Sequence, residues 1–285
     1  NNNAMSNSFV KYERPDNEAV LSYPLDSEER NSLSFELYKL SSTVTEIPLI
    51  IGGKEIRTGN IGKVVMPHDH NHVLAEYHKA SEKEVKMAID AAMDAHKIWG
   101  SLPWEERLSI TLKAAELLST KYRPIINAAS MLGQSKNAYQ AEIDAACETI
   151  DFIKFNAYFA SQIYDNQPLS EPGIFNRMDY RPLEGFVFSV TPFNFTSIAS
   201  NLNLAPALMG NTLVWKPAST SLLSSYVLMQ VFKEAGFPDG VINFVPGSGP
   251  LIGDVVLSDK NLAGVHFTGS NATFNNIWET IGQNL

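Results

Sequence analysis

The chain has 285 residues, and its 44% hydrophobic and 19% charged content is typical of a folded protein with a full apolar core. Its formal net charge of −9 argues against nucleic acid as the main partner, and no apolar run approaches the roughly 20 residues of a membrane span. The one cysteine, Cys147, excludes an internal disulfide framework, so we expect a protein with neither disulfides nor a nucleic-acid or membrane partner.

The first part of the chain, residues 1–46, is predicted to be an arm that wraps the body of the protein. It is polar and mixed in composition, apart from a helix predicted over Ser27–Leu40, whose leucines recur at helical spacing. Short strands are predicted next, as a pair within Ile47–Arg57 joined by a glycine turn and as a second pair around Lys63–Val65 and Val73–Tyr77. They begin a segment, residues 47–182, that we expect to contain strand pairs and long helices.

Three alternate histidines raise the question of a metal site. They are His68, His70 and His72. On a strand, alternate residues share a face, and imidazoles on one face are a possible ligand pattern. Turn-forming residues, among them Pro67 and Asp69, alternate with the histidines and favour an exposed turn. We therefore predict a solvated loop and no metal.

Long helices are predicted for most of the remainder of this segment. They cover Ser81–Trp99, the stretch from Pro103 to about Tyr122, and roughly Ser135–Ser161. In the last of them Cys147 shares a face with apolar residues, whereas Glu148 lies on a different face. We expect Cys147 to be a buried core residue without a group that lowers its pKa. A proline-containing connector, Gln167–Pro182, follows.

From residue 183 the pattern changes to alternating strands and helices. The predicted strands are Phe186–Val190, Thr212–Trp215, Val241–Val245 and Gly264–Phe267, and the helices between and after them are Ser197–Leu208, Leu222–Ala235, one near Pro250–Leu257 and one from Ser270. Strands separated by single helices form parallel sheets with helices on both faces. We therefore predict an α/β protein whose residues 183–285 form a doubly wound parallel sheet.

Polar and glycine-rich turns follow the predicted strands on one edge of this sheet. Lys216 directly follows its strand, and Gly269-Ser270 follows the last strand and opens the last helix, where free N–H groups attract phosphate. A third turn, Pro246–Pro250, is also rich in glycine. Ligands bind at the carboxyl edge of open parallel sheets, so this combination predicts a nucleotide site.

Asn194 follows the first strand, between two phenylalanines. Its uncharged amide can donate a hydrogen bond to an oxyanion without titrating, as a tetrahedral intermediate requires. A turn asparagine that caps the following helix is an equally good interpretation. The residues themselves leave both roles open.

Four segments resemble the NAD(P)-dependent aldehyde dehydrogenase superfamily. They are TPFNF at Thr191–Phe195, ALMGNTLVWKP at Ala207–Pro217, KEAGFPDGVINFVPGSGP at Lys233–Pro250 and VHFTGS at Val265–Ser270. AEIDAACETIDF at Ala141–Phe152 further resembles the Δ1-pyrroline-5-carboxylate dehydrogenase branch. The resemblance covers the chain from around Pro15 to its end. It implies the Rossmann-like, N-terminal cofactor-binding domain of that superfamily.

The same resemblance assigns roles to individual residues. Asn194 matches the oxyanion-hole amide, and Glu148 and Phe195 match positions that line the substrate pocket. Cofactor-binding positions are matched by Thr191, Pro192, Phe193, Lys216, Ser219, Gly249, Gly269, Ser270, Asn271, Ala272 and Thr273. Many relatives have a ribose-binding glutamate at the place of Ser219. Because a carboxylate would repel a 2′-phosphate, its absence leaves NADP acceptable, although NAD is the expected cofactor.

The resemblance implies NAD-dependent oxidation of L-glutamate γ-semialdehyde (Δ1-pyrroline-5-carboxylate) to L-glutamate in proline catabolism. In this family a cysteine thiolate attacks the aldehyde, the thiohemiacetal passes hydride to nicotinamide, and a glutamate activates the water that releases the acid. Both residues lie beyond the position that matches Leu285. We therefore expect a cofactor-binding half that lacks the catalytic domain and is inactive alone.

Three further expectations concern the whole protein. The full-length enzyme is expected to be a homodimer that acts on a small aldehyde. The mitochondrial matrix is the expected location, with the cytosol as the alternative for a bacterial protein. The alternative function is a non-catalytic NAD-binding or interaction module from a truncated product.

Overall fold

The structure, a computed structural model, describes residues 11–284, so the first ten residues of the predicted arm and the final Leu285 lie outside the described part. Its helices are α1 Glu28–Ser42, α2 Glu82–Ser101, α3 Trp104–Ser119, α4 Arg123–Gln134, α5 Ala138–Ala141, α6 Thr149–Asp165, α7 Thr196–Leu208, α8 Leu222–Ala235, α9 Gly249–Leu257 and α10 Asn271–Gln283. Its strands are β1 Thr45–Ile47, β2 Leu49–Ile51, β3 Lys54–Ile56, β4 Ile61–Met66, β5 Asp69–His78, β6 Phe186–Val190, β7 Thr212–Lys216, β8 Ile242–Phe244 and β9 Leu262–Phe267.

A six-stranded sheet in the order β3-β2-β8-β7-β6-β9 forms the centre of the fold. The last four strands of that order are parallel, which confirms the predicted doubly wound sheet. The hairpin β2–β3 extends it antiparallel through the pair Ile50↔Phe244. Side chains alternate between the faces: Phe186 and Phe188 pack with α2, α9 and α10, and Val187 packs with the α3, α4, α7 and α8 layer.

A second, three-stranded sheet in the order β1-β5-β4 lies beside the first. The histidine prediction is wrong in part here, because β5 includes His70 and His72, and only Pro67 and His68 form the turn. The cross-strand partners in β4, with two register shifts near Val65, override the local turn preference. Within residues 11–284, no group of three or more histidine, cysteine, aspartate or glutamate side chains is placed to hold a metal ion.

The helical segment differs from its prediction in two respects. Helix α4 was not predicted; it begins at Arg123, with Pro124 in its first turn, a position that suits proline. The predicted long helix Ser135–Ser161 is confirmed in outline, but it starts at α5 and runs to Asp165. It also contains a π-helical turn, Glu142–Glu148, between α5 and α6.

The described part of the arm lies against this helical layer. Glu18 pairs with Arg123 and with Lys154, each at 2.7 Å. Glu142, at the start of the π turn, accepts hydrogen bonds from the Leu21 amide at 2.8 Å and from the Tyr23 hydroxyl at 2.6 Å. These contacts tie the arm to α4, the π turn and α6, on the face of the sheet opposite α9 and α10.

Candidate functional site

A cleft of about 1090 Å³ opens at the carboxyl edge of the parallel strands. Its walls come from the loops after β6, β7 and β9 and from one face each of α9 and α10. In a parallel sheet these strand ends and helix starts converge, so the topology itself creates the cleft. It is larger than the cavity of about 370 Å³ that lies between the arm and α1.

The structure brings most of the sequence-predicted residues together in this cleft. Those that line it are Thr191, Pro192, Phe193, Asn194, Lys216, Gly249, Gly269, Ser270, Ala272 and Thr273. Those that do not are Ser219, Asn271, Glu148 and Phe195. Ser219 opens a short 3₁₀ turn beyond Lys216, and Asn271 is the exposed first residue of α10.

Thr191 directly follows β6, and Lys216 is the last residue of the adjacent strand β7. The Thr191 hydroxyl is buried and accepts a hydrogen bond from Trp215 Nε1 at 3.0 Å, which ties the two strand ends together. Lys216 is half-buried, and burial lowers the pKa of its ammonium because desolvation disfavours the charged form. Among residues 11–284 it has no carboxylate partner within ion-pair distance. An anionic ligand group in the cleft would compensate the Lys216 ammonium for the water it has lost.

The start of α10 forms the other polar end of the cleft. Ser270 is the N-cap residue, and its Oγ accepts a hydrogen bond from the Thr273 amide at 3.2 Å. This capping satisfies one of the first N–H groups of a 13-residue helix and leaves its other N-terminal N–H groups without intrahelical partners. The helix dipole makes this end attractive to an anion.

Asn194 does not cap α7, so the helix-cap interpretation is wrong. The N-cap position belongs to Phe195, and the cap itself comes from the distant Asp144 in the π turn. The Asp144 carboxylate accepts hydrogen bonds from the amides of Thr196 and Ser197, at 3.0 and 3.1 Å, and from the Ser197 hydroxyl at 2.7 Å. The Asn194 side chain is exposed on the cleft wall, where its amide is accessible to a ligand.

Asp144 holds the start of α7 in place, and the sequence did not predict this role. It is buried and paired with Lys136, whose ammonium lies 4.6 Å from the centre of the Phe195 ring. One turn further on, Glu148 Oε2 accepts a hydrogen bond from the Ser197 hydroxyl at 3.0 Å. Glu148 and Phe195 therefore both lie at the start of α7, outside the lining of the cleft. No local pattern links Asp144 to partners 52 and 53 residues later.

Cys147 is buried away from the cleft, as predicted. Burial raises the pKa of its thiol to about 12, and the nearby carboxylate of Glu142 adds to this effect. We predicted no group placed to lower this pKa; an Arg123 nitrogen does lie 3.5 Å from the sulfur, but the pKa is raised all the same. Arg123 is engaged by Glu142 and Glu18, so its charge does not reverse the effect of burial.

The helix faces of the cleft were only partly predicted. From α9 they include Gly253, Asp254 and Leu257, and from α10 they include Asn276 and Ile277. The spacing of Gly249 and Gly253 was the available signal, because residues four apart share a helix face. A Cβ atom at either glycine would meet nothing within 4 Å, so both positions leave the wall open.

The fold and cleft define an α/β protein with a doubly wound sheet and a ligand cleft at its carboxyl edge. The sequence model of the Aldehyde dehydrogenase family matches residues 57–285. The chain belongs to the aldehyde dehydrogenase family.

Relatives of this chain share one protein name. The chain is 47% identical over 272 residues to the mitochondrial delta-1-pyrroline-5-carboxylate dehydrogenase of Dictyostelium discoideum, matching 95% of this chain and 49% of that protein. It is 45% identical over 269 residues to the human mitochondrial protein of the same name, matching 94% and 48%. The chain spans about half the length of these relatives.

A solved structure shows the same fold. The delta-pyrroline-5-carboxylate dehydrogenase from Mycobacterium tuberculosis bound with NAD superimposes with a TM-score of 0.96 at 49% identity, covering 98% of this chain and 52% of that one. In the described part of this chain, every helix is too short or too polar to cross a membrane.

Proposed function

We propose that the chain is the dinucleotide-binding part of an NAD-dependent Δ1-pyrroline-5-carboxylate dehydrogenase, which oxidises L-glutamate γ-semialdehyde to L-glutamate in proline catabolism. The observation that carries the proposal is the convergence of Lys216, Asn194 and the start of α10 on one cleft. The names of relatives that are 45–49% identical support the choice of substrate.

The cleft suits a dinucleotide in size and chemistry. Its cation, Lys216, and the N-terminus of α10 are both attractive to phosphate or to ribose hydroxyls. The open positions at Gly249 and Gly253 leave space along the helix wall. When bound, NAD would supply the hydride acceptor. The chain's own residues would bind and orient it against the end of β6.

At that end, Asn194 would donate a hydrogen bond to the oxyanion that forms when the aldehyde is attacked. Glu148 and Phe195 would form one wall of the substrate pocket beside it, held by Ser197 and Lys136. We assign Thr191, Gly269 and the remaining cleft-lining residues to cofactor binding. Ser219 and Asn271, which do not line the cleft, would act through their neighbours Lys216 and Ser270.

Cys147 is not the nucleophile in this proposal, because it is buried, its pKa is raised and it lies outside the cleft. It is the one cysteine of the sequence. The 285-residue chain should therefore bind NAD without turning it over. Incubation with NAD and L-glutamate γ-semialdehyde should give no NADH fluorescence, and clear NADH production would contradict this division of roles.

Calorimetric titration of the 285-residue chain with NAD tests cofactor binding. Lys216→Met should weaken binding about tenfold, since it removes a charge-assisted contact. Lys97→Met, on the exposed side of α2, is the matched control and should leave the affinity unchanged. The absence of NAD binding by the folded wild-type chain would refute the proposal.

The properties of Cys147 favour a second candidate, a non-catalytic NAD-binding or interaction module. It predicts the same calorimetric result, and in addition a stable complex with full-length subunits. Co-purification of the tagged chain with a full-length relative distinguishes the two.

We further propose a homodimer for the complete enzyme, a mitochondrial matrix location, with the cytosol as the alternative, and a preference for NAD over NADP. Exposed apolar side chains between α6 and β6, such as Leu169 and Phe175, support an association surface. Mitochondrial designations among the relatives support the location. Light scattering of the complete enzyme, fractionation of the source cells and titration with NADP test the three points.

A further inference from the structure

A slot between α9 and α10 forms the inner part of the cleft. The α9 side is Gly249, Pro250, Gly253, Asp254 and Leu257, and the α10 side is Ala272, Thr273, Asn276 and Ile277. Both sets follow helical spacing, so each is one continuous face. The far ends of the two helices are joined by a hydrogen bond of 2.9 Å from the Asn284 side chain to the Leu257 carbonyl. The slot is therefore closed at its far end.

The inner surface of this slot is apolar, and its rim is polar. Leu257 and Ile277 are buried at its inner side, and Phe188 and Val190 of β6 form its floor. Asp254 and Asn276 are exposed at the rim. A slot with an apolar inner surface and a polar rim suits a flat aromatic ring, whose polar edge would then face the rim.

Asp254 is the one carboxylate in the described cleft lining, and Lys216 is its one cation. Within residues 11–284, Asp254 takes part in no ion pair, and only its backbone carbonyl accepts a hydrogen bond, from Ser258 Oγ at 2.7 Å. An ionised carboxylate accepts hydrogen bonds and repels phosphate. Asp254 is thus suited to a neutral ligand group that donates a hydrogen bond.

We propose that Asp254 selects the base of the cofactor, by accepting a hydrogen bond from the exocyclic amine of adenine held in the α9–α10 slot. This inference rests on the proposed function, because it takes the cofactor to be an adenine dinucleotide. Asp254 lies five residues beyond Gly249, about 7.5 Å along the helix axis. It is therefore set back from the sheet edge, where Lys216 and the start of α10 attract the phosphates and ribose hydroxyls.

Hypoxanthine provides the test, because it has a carbonyl oxygen in place of the exocyclic amine. Opposite Asp254 that oxygen would face a carboxylate, so two acceptors would meet without a proton. A site built around an N–H donor discriminates against a ligand without it. The wild-type chain should bind NAD about tenfold more tightly than nicotinamide hypoxanthine dinucleotide, because a hydrogen bond to a charged group is lost.

The experiment is a calorimetric titration of the 285-residue chain and its variants with NAD, with nicotinamide hypoxanthine dinucleotide and with NADP. Asp254→Asn should reduce the preference for NAD over nicotinamide hypoxanthine dinucleotide to about threefold or less. An amide can accept a hydrogen bond from the amine of adenine or donate one to the carbonyl oxygen of hypoxanthine. The matched control is Asp90→Asn, on the exposed side of α2 and outside the cleft, which should keep the wild-type preference.

The outcomes separate this inference from the proposed function. If the folded chain binds neither NAD nor nicotinamide hypoxanthine dinucleotide, the proposed function fails and the inference fails with it. If wild type binds both equally, or if Asp254→Asn keeps the wild-type preference, NAD binding stands but the role of Asp254 is refuted. A change confined to the preference for NAD over NADP would place Asp254 at the ribose and would also refute it.

Discussion

At the scale of single residues, Lys216 illustrates how burial prepares a side chain for its ligand. It is the last residue of the central strand β7, is half-buried, and has a lowered pKa because its ammonium loses water without gaining a carboxylate. A phosphate or ribose oxygen would compensate for that loss. The position is therefore costly for the protein alone and favourable once a ligand is bound.

The pH dependence of NAD binding follows from this pKa. The protonated ammonium binds the ligand, so affinity should be constant at neutral pH and fall as the pH rises through the lowered pKa of Lys216. Calorimetry at intervals between about pH 7 and 10 would show the decline below the ordinary lysine pKa of about 10.4. Lys216→Met should bind weakly at every pH without this decline. An unchanged wild-type affinity at pH 10, with the fold intact by circular dichroism, would contradict the prediction.

Asp144 should be the most destabilising single truncation near the site. Asp144→Ala would leave the start of α7 uncapped and the charge of Lys136 without its buried partner. Losing one partner of a buried ion pair costs about 3–5 kcal/mol. Urea unfolding should show a loss of this size, whereas Asp90→Ala on an exposed helix face should change stability by less than about 0.5 kcal/mol. Equal stability of the two variants would show that α7 does not depend on this cap.

At the scale of elements, the π turn concentrates the long-range interactions of the helical layer. Glu142 at its start binds the arm and Arg123, Asp144 caps α7, and Glu148 contacts Ser197 at its end. A π turn adds a residue to the helical period and so re-aims the side chains around it. Here the turn directs carboxylates both toward the arm and toward the start of α7.

Glu142 should make part of the stability pH-dependent. Burial opposes its ionisation, but hydrogen bonds from Arg123, Tyr23 and the Leu21 amide lower its pKa below the usual value. A carboxylate with a lowered folded-state pKa contributes stability above its unfolded pKa, and this contribution is lost as pH falls through the folded-state pKa. Glu142→Gln should therefore be less stable than wild type at pH 7, with a difference that narrows below about pH 4. Urea unfolding of both proteins at pH 7 and below about pH 4 measures this difference in the free energy of unfolding. A difference that does not change with pH would rule out this linkage.

The sequence predicts the elements of this fold far better than their partners. The strands and helices after Phe186 have strong apolar periodicity and clear glycine or proline boundaries, and they occur almost where expected. Helix α4 was missed because a proline such as Pro124 is found both just after the end of a helix and in the first turn of the next one. The strand placement of His70 and His72 depends on cross-strand pairing with β4, which local turn propensity does not contain.

The candidate site was also predicted only in part. The loops at the strand ends were predicted because the parallel topology and the family resemblance both place them at one edge. The helix faces of the slot, including Asp254, were not predicted, since lining a cleft depends on how α9 and α10 face each other. The Asp144 cap was missed because it joins residues about fifty positions apart.

At the scale of the whole molecule, the central sheet separates ligand binding from the attachment of the arm. The cleft is on the side of α9 and α10, whose apolar residues form a cluster with α2. The arm lies on the opposite layer, where Arg123 is bound by Glu18, Glu142 and the Ala19 carbonyl. The arm also covers a buried guanidinium and carboxylate, so its removal should expose charges that the fold has paired.

Truncating residues 1–24 tests this separation, with a chain lacking residues 1–10 as the reference that keeps the described contacts. The longer truncation should lower the free energy of unfolding by about 3 kcal/mol or more, because Arg123 and Glu142 lose several hydrogen bonds at once. NAD affinity should stay within about twofold of the reference, since sites without shared contacts behave independently. Urea unfolding and calorimetry measure both quantities. A large loss of NAD affinity in a chain that remains folded would mean that the π turn couples the arm to the cleft through Asp144.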